Sequence, residues 1–480
     1  MLRAPSVSRP LRAAHRAASL TGVRLALFAA LALAACWRPL SQAGGMNDFR
    51  DAHLLHSYED AGTRTVTGYG ELPLWNPWAC GGQYALGSPQ TRVASPTLLL
   101  SAVVGARRAE PLVLWAFLVL SMEGFFRYAR RRVGSAVGAL GAAPLFGLMG
   151  FTALSWSIGW LNFAGFLLLP WLLWGTRQAM RGRVSGAAVV AGVFAFLLGF
   201  AGTYPVPMGA LFVALEAGRS LYELKGAPRR RAALWALGAT ALFTLGACAF
   251  RLWPLVETMR SAPRVMAGTP GHSLETLGRM LFQLPASSGY SNPGNFFLVP
   301  AVLALVPAAV RAWRRALYPG VLALLCLWMA AGYSATPSLF AGLRLLPVFG
   351  TLRYPERFLV PMGLFLAELA ALGLAVLLAR GGRGGLSPRW RWAALAACAV
   401  VVVSWGVQLR GFVKLTRWAH TVPVPEEVEQ PFAQARGNRW AQEYFLALNR
   451  GSIACGEAWP VPMSSRLRGD LPQEEYLEVP

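Results

Sequence analysis

Asn47-Asp48-Phe49-Arg50-Asp51 is the stretch of this sequence best equipped for chemistry. Asp48, Asp51 and Asp60 are three of the four Asp in the chain, and they lie within thirteen positions of one another. On a helix, residues three apart share a face, as Asp48 and Asp51 would. One acid of such a pair can take a proton from a substrate hydroxyl, while the other orients that hydroxyl or a divalent metal. The same spacing also suits a solvated helix end neutralised by Arg50. Glu59-Asp60 reads as a surface pair, and His53 and His56 offer ligands to a metal or, as such helical pairs more often do, polar packing.

Two further motifs offer binding chemistry. Leu72-Pro73-Leu74-Trp75-Asn76-Pro77-Trp78 is followed by Cys80-Gly81-Gly82-Gln83 and Ser88-Pro89-Gln90. Trp and Pro make a rigid wall, and the amides of Asn76, Gln83 and Gln90 give directional hydrogen bonds of the kind that hold sugars. A loop capped by interfacial Trp would have the same composition. Thr351-Leu352-Arg353-Tyr354-Pro355-Glu356-Arg357 immediately precedes an apolar run. Two Arg there can grip a phosphate bidentately or anchor to lipid headgroups. Arg251, with Arg260, is expected to assist, and Tyr204 in Thr203-Tyr204-Pro205 to line the same cavity.

The elements that must carry these motifs are membrane helices. Hydrophobic residues make up 55% of the 480-residue chain and charged residues only 14%, against about 25% charged in a soluble domain. Apolar runs of roughly 18 residues or more recur, and lipid leaves a spanning backbone no choice but the helix. The spacing predicts an all-α polytopic protein with about eleven spans. The first is residues 20–37, after an N-terminal segment 1–19; a polar loop 38–110 follows, then about ten spans in 111–409 and a tail 410–480. Within the loop, residues 46–61 read as a short amphipathic helix, and residues 97–105 are apolar but too short to cross.

The formal charge is +23, yet only Lys225 and Lys414 are Lys. The Arg residues cluster between apolar runs, at 127–132, 177–183, 229–231, 311–315 and 380–391. That placement is a topology signal rather than a nucleic-acid stripe. It puts the N-terminus in the cytoplasm and residues 38–110 and 410–480 outside. Leu33-Ala34-Ala35-Cys36 also resembles a lipoprotein cleavage box, which would make the first run a signal peptide. The six Cys form no metal motif; Cys80 and Cys455 fall in loops on one side and could pair. No phosphate-binding Gly loop, HExxH or GxSxG is present.

With an Asp early in its first outer loop, the chain resembles the YfhO-type bacterial membrane proteins. The likeness rests on Pro73-Leu74-Trp75-Asn76-Pro77-Trp78 with Gly81-Gly82 and Pro89-Gln90. It rests also on Leu346-Pro347 and Leu352-Arg353-Tyr354-Pro355-Glu356-Arg357-Phe358. These proteins belong with the GT-C class of polytopic glycosyltransferases. The resemblance implies a polyprenyl-phosphate sugar donor, an acceptor that is a glycan, lipid or protein, and a place in the bacterial inner membrane. It implies that the early loop acid is the catalytic base, which matches Asp48, with Asp51 the runner-up. A divalent metal, if used, would sit on the same two acids. The competing readings are a lipid or glycan transporter, which would need polar groups at mid-membrane, and a non-catalytic assembly protein of the same fold.

Overall fold

Long apolar runs can satisfy their backbone groups only within themselves, and helices accordingly make up nearly all of the structure. The computed structural model describes residues 18, 20–42, 46–47, 50–78, 82–261, 268–285, 294–381, 388–416 and 421–422. The chain opens with α1 (Thr21–Ser41), β1 (Met46–Asn47) and α2 (Arg50–Tyr69). A small hairpin follows, β2 (Trp75–Asn76) with β3 (Gln83–Tyr84), and then α3 (Thr97–Val104). The bundle continues through α4 (Ala106–Val133), α5 (Ala136–Gly147), α6 (Gly150–Ser157), α7 (Leu169–Ala179), α8 (Val184–Gly199), α9 (Pro205–Glu223) and α10 (Ala227–Ser261). The second half holds α11 (Leu274–Phe282), α12 (Val306–Val310), α13 (Trp313–Ala330), α14 (Leu339–Arg344), α15 (Leu359–Gly381), α16 (Pro388–Thr416) and β4 (Thr421–Val422).

Helices α4, α5 and α15 form the centre. Helix α4 packs on α1, α5 and α7, and α15 packs on α5, α12, α13 and α16. Close approach is secured by small residues: a Cβ added to Gly138 of α5 would lie 2.6 Å from the Ala371 carbonyl oxygen of α15. The α5–α6 segment is 89% buried, whereas the apolar part of α10 is only 17% buried. Leu234, Trp235, Leu242, Phe243 and Trp253 of α10 are all exposed. Water would not tolerate that continuous apolar face, but hydrocarbon would.

Six helical stretches among the described residues are long and apolar enough to cross a membrane: Thr21–Ser41, Ala106–Val133, Ala136–Ser157, Ala227–Ser261, Pro355–Ala379 and Trp392–Thr416. The runs Val184–Gly199 and Pro300–Val310 are apolar but shorter. The expectation of about eleven regular spans is therefore met only in part. Gly134, at φ 76, ends α4. Residues 161–168 and 300–305 wind as 3-10 turns. Pro300 and Pro307 supply no N–H, so the run from Asn295 cannot form one continuous helix. The short loop helix runs to Tyr69, eight residues past its expected end, and the apolar 97–105 stretch is the short α3.

Closed ion pairs tie the helices together at the end that carries the Arg-rich connectors, here called the arginine end. The Arg24 guanidinium of α1 donates to both carboxylate oxygens of Glu123 of α4, at 2.6 and 2.8 Å. Arg127 donates to Glu123 at 2.6 Å. Arg132 bonds Glu368 of α15 and lies 3.7 Å from Glu216 of α9, and Tyr128 donates to Glu368 at 3.1 Å. The three Glu found inside apolar runs are thus all opposite Arg. The opposite end, which carries α2, the hairpin, α3 and the turn at 353–357, is the loop end.

Candidate active site

At the loop end, the turn before α15 is built around Arg357, which is only 2% exposed. Its guanidinium carbon lies 3.7 Å from the ring centre of Tyr204, 4.0 Å from Phe163, 4.8 Å from Tyr354 and 5.3 Å from Trp160. Ring faces are negative, so this enclosure holds a cation out of water. The Tyr204 hydroxyl, at the start of α9, accepts from the backbone N–H groups of Arg353 at 2.7 Å and Tyr354 at 3.1 Å. Arg353 itself is exposed, its guanidinium 5.1 Å from the Tyr354 ring centre. The structure therefore brings Arg353, Arg357 and Tyr204 together.

The acid-bearing segment abuts this turn through one glycine. Asp51 lies in the first turn of α2; Asp48 falls outside the described residues, as do Cys80 and Cys455. The next residue, Ala52, is fully buried, and Gly159 packs against its backbone. Gly159 sits at φ 81, and a Cβ there would run into the Ala52 Cα, so glycine is required twice over. Trp160, the neighbour of Gly159, is one of the rings around Arg357. On the other flank, β1 pairs antiparallel with β4, Met46 opposite Val422 and Asn47 opposite Thr421. A segment beyond α16 thus pairs with the strand just before Asp48.

The hairpin sets Trp75 opposite Tyr84 and Asn76 opposite Gln83. Asn76 is buried and spends its carboxamide oxygen on the Trp78 N–H, at 3.0 Å. Gln83 is 1% exposed, and its amide has no hydrogen-bond partner among the described residues. The Gln90 backbone N–H donates to the Ser88 hydroxyl at 3.4 Å, and the Gln90 side-chain oxygen is likewise unsatisfied among them. Trp75 is half exposed at the hairpin's edge.

Arg251 does something other than what its sequence position suggested. From α10 it donates to the carbonyls of Ala85 at 3.1 Å, Leu86, Ser88 at 2.5 Å and Thr91 at 2.9 Å. A bent loop leaves carbonyls without partners, and a guanidinium has donors enough to collect them. Arg251 therefore organises the 85–91 loop, and we give it no phosphate-binding part.

Sequence reasoning missed a second polar cluster. Glu59, expected at the surface, is buried with Arg92, Glu110 and His56. Arg92 bonds Glu110 and lies 3.3 Å from Glu59; His56 Nε2 lies 3.2 Å from Glu110; Ser101 donates to Glu59 at 2.7 Å. Burial pulls the Arg92 guanidinium's pKa down, but Glu110 and Glu59 outweigh it and hold the group above its ordinary value. The cluster fastens α2 to α3 and the start of α4. The available signal was Glu110-Pro111, an acid set directly against an apolar run. Between α3 and α4 lies an apolar cavity of about 570 Å³, lined by Thr97 and Leu100 of α3, Leu112 and Phe117 of α4, Trp171 and Phe196. Among the described residues no three His, Cys, Asp or Glu gather as metal ligands.

No protein-family model matches this sequence, and no curated protein sequence does. Solved structures do resemble it. ArnT from Cupriavidus metallidurans, in the apo state, superposes with a TM-score of 0.54 at 14% identity, covering 92% of this chain and 86% of that one. The arabinofuranosyltransferase AftD from Mycobacteria gives 0.46 at 16% identity, over 82% of this chain and 27% of AftD, so this chain spans about a quarter of AftD's length. The likeness to ArnT shows a shared fold, a polytopic helical bundle over most of both chains.

Proposed function

We propose that this protein transfers a sugar from a polyprenyl-phosphate donor to an acceptor at the loop end, facing away from the cytoplasm across a bacterial inner membrane. The observation that carries this reading is the Gly159–Trp160 link, which joins the acid-bearing first turn of α2 to the arginine turn. A base and a cationic group on one face are what displacement of a lipid phosphate needs. The acceptor hydroxyl attacks the anomeric carbon as Asp48, or Asp51, takes its proton. The C–O bond to the lipid phosphate breaks with inversion, and the phosphate leaves with its electron pair toward Arg353, with Arg357 behind. Trp75, Asn76, Gln83 and Gln90 form the sugar wall, and the unsatisfied amide of Gln83 supports that role. The apolar cavity beside α3 suits the hydrocarbon of the lipid donor. The pairing of β1 with β4 supports a topology in which residues 38–110 and 410–480 share a side, as the expected eleven crossings would place them.

The test is transfer from a panel of radiolabelled polyprenyl-phosphate sugars by the purified protein in lipid, beside Asp48→Asn and Asp51→Asn. Label should reach an acceptor with the parent and fall at least about 100-fold with one of the two variants. Transfer undiminished in both would remove the acids from the reaction. A parent inert with every donor would sink the transferase reading and favour lipid transport.

A further inference from the structure

The segment 268–273 has no regular structure, yet it is fixed in place. Both the N–H and the hydroxyl of Thr269 donate to the Arg353 carbonyl, at 2.9 and 3.0 Å. Ser334 donates to the Pro270 carbonyl at 3.3 Å. Gly271, at φ 90, packs against Ala331 so closely that no Cβ would fit. Ser273 then caps α11 by accepting from the Thr276 N–H at 3.2 Å. Nothing in packing requires an ionisable side chain between these fixed points, but His272 is there.

The His272 imidazole has a buried carboxylate behind it. Its Nε2 lies 3.9 Å from Glu356 Oε2; the imidazole is 23% exposed and the carboxylate side chain only 2%. That carboxylate oxygen accepts no hydrogen bond among the described residues. A buried carboxylate is costly unless cations face it. Here the cation is Arg357, next in sequence, with the His272 imidazole beside it. One wall of His272 is thus formed by Glu356, and its open side faces out, as does the exposed Arg353 whose carbonyl holds Thr269.

We propose that His272 is a ligand of the donor phosphate, alongside Arg353, and that Glu356 is the positioning residue that holds the imidazole. This rests on the transferase reading for the identity of the ligand, a polyprenyl phosphate, and adds to it a group from a distant segment. The geometry favours an anion over a neutral sugar hydroxyl. A guanidinium and an imidazole, both able to donate N–H, present themselves from neighbouring backbones, and the carboxylate that would welcome a hydroxyl is buried behind them.

Two measurements test it on the full-length protein in lipid. The first is binding of unglycosylated polyprenyl phosphate, followed by tryptophan fluorescence, for the parent, His272→Ala, His272→Arg and Glu356→Gln. His272→Ala should weaken binding about tenfold and His272→Arg should restore it. Glu356→Gln should weaken binding in the parent but add little on the His272→Ala background, because it acts through the imidazole. The second is steady-state transfer, where His272→Ala should raise the donor KM about tenfold and leave kcat within about twofold. Binding by His272→Ala equal to the parent's overturns the proposal, whatever the turnover. Independent, additive effects of the two substitutions overturn the role given to Glu356. If the parent binds polyprenyl phosphate through His272 yet transfers no sugar, the site stands and the transferase reading falls. A parent that binds no polyprenyl phosphate overturns both.

Discussion

The two ends of the bundle use the same side chains in opposite ways. At the arginine end, Arg24 and Glu123 meet in a bidentate pair at 2.6 and 2.8 Å, and Arg132 closes on Glu368. At the loop end, His272 and Glu356 stop 3.9 Å apart, Arg353 is exposed, and Arg357 is surrounded by rings. A closed pair has spent its donors on the fold. An open one keeps them for a ligand. The Arg92 cluster shows that position alone does not decide this, since it lies at the loop end and is closed. Its work is to hold α2 against α3.

If that division is right, stability and activity should separate between the ends. The largest loss of stability should follow Arg132→Ala, which leaves Glu368 and Glu216 buried without their cation. The cost is about 3–5 kcal/mol, read as a lowered melting temperature of the protein in detergent. A melting point equal to the parent's would mean that the closed pairs are ornamental, and the comparison would fail.

Gly159→Ala should come next. It places a side chain at positive φ and against Ala52, at about 1–3 kcal/mol. Because Gly159 separates the acid-bearing turn from the Trp160 ring, transfer should fall by more than the melting point suggests. Equal activity per folded molecule would show that the two turns need not be held in register. The smallest stability effect belongs to Arg353→Ala. This exposed side chain should change stability by no more than about 0.5 kcal/mol, while the donor KM rises. A large drop in melting temperature there would place Arg353 with the structural arginines.

The sequence carried the fold class well, because apolar runs in a chain with 14% charged residues leave helices as the available solution. It carried the count of regular spans less well. Hydropathy does not register that Pro300 and Pro307 break a run, or that residues 161–168 wind as a 3-10 turn. The arginine turn was legible because its residues are contiguous from Thr351 to Arg357. The cage around it was not, since Trp160, Phe163 and Tyr204 come from segments remote from Arg357 in sequence. Arg251 shows a different limit. An Arg near the end of an apolar run reads the same whether it meets a phosphate or four loop carbonyls; only the fold of residues 85–91 distinguishes them. Glu59 reads as surface beside Asp60, until Arg92 arrives from thirty-three positions away to bury it.

The pairing of β1 with β4 also bears on when the protein becomes competent. Asn47 leaves the ribosome about 370 residues before its partner Thr421, which at about 5–20 residues per second is about 20 to 75 seconds. Through that interval the helices can enter the membrane one after another, while the strand before Asp48 has no partner. The acid segment acquires its flanking strand only after α16 has been made. A chain still being inserted would therefore lack this tie between its first loop and the segment after α16 until its helices are in place.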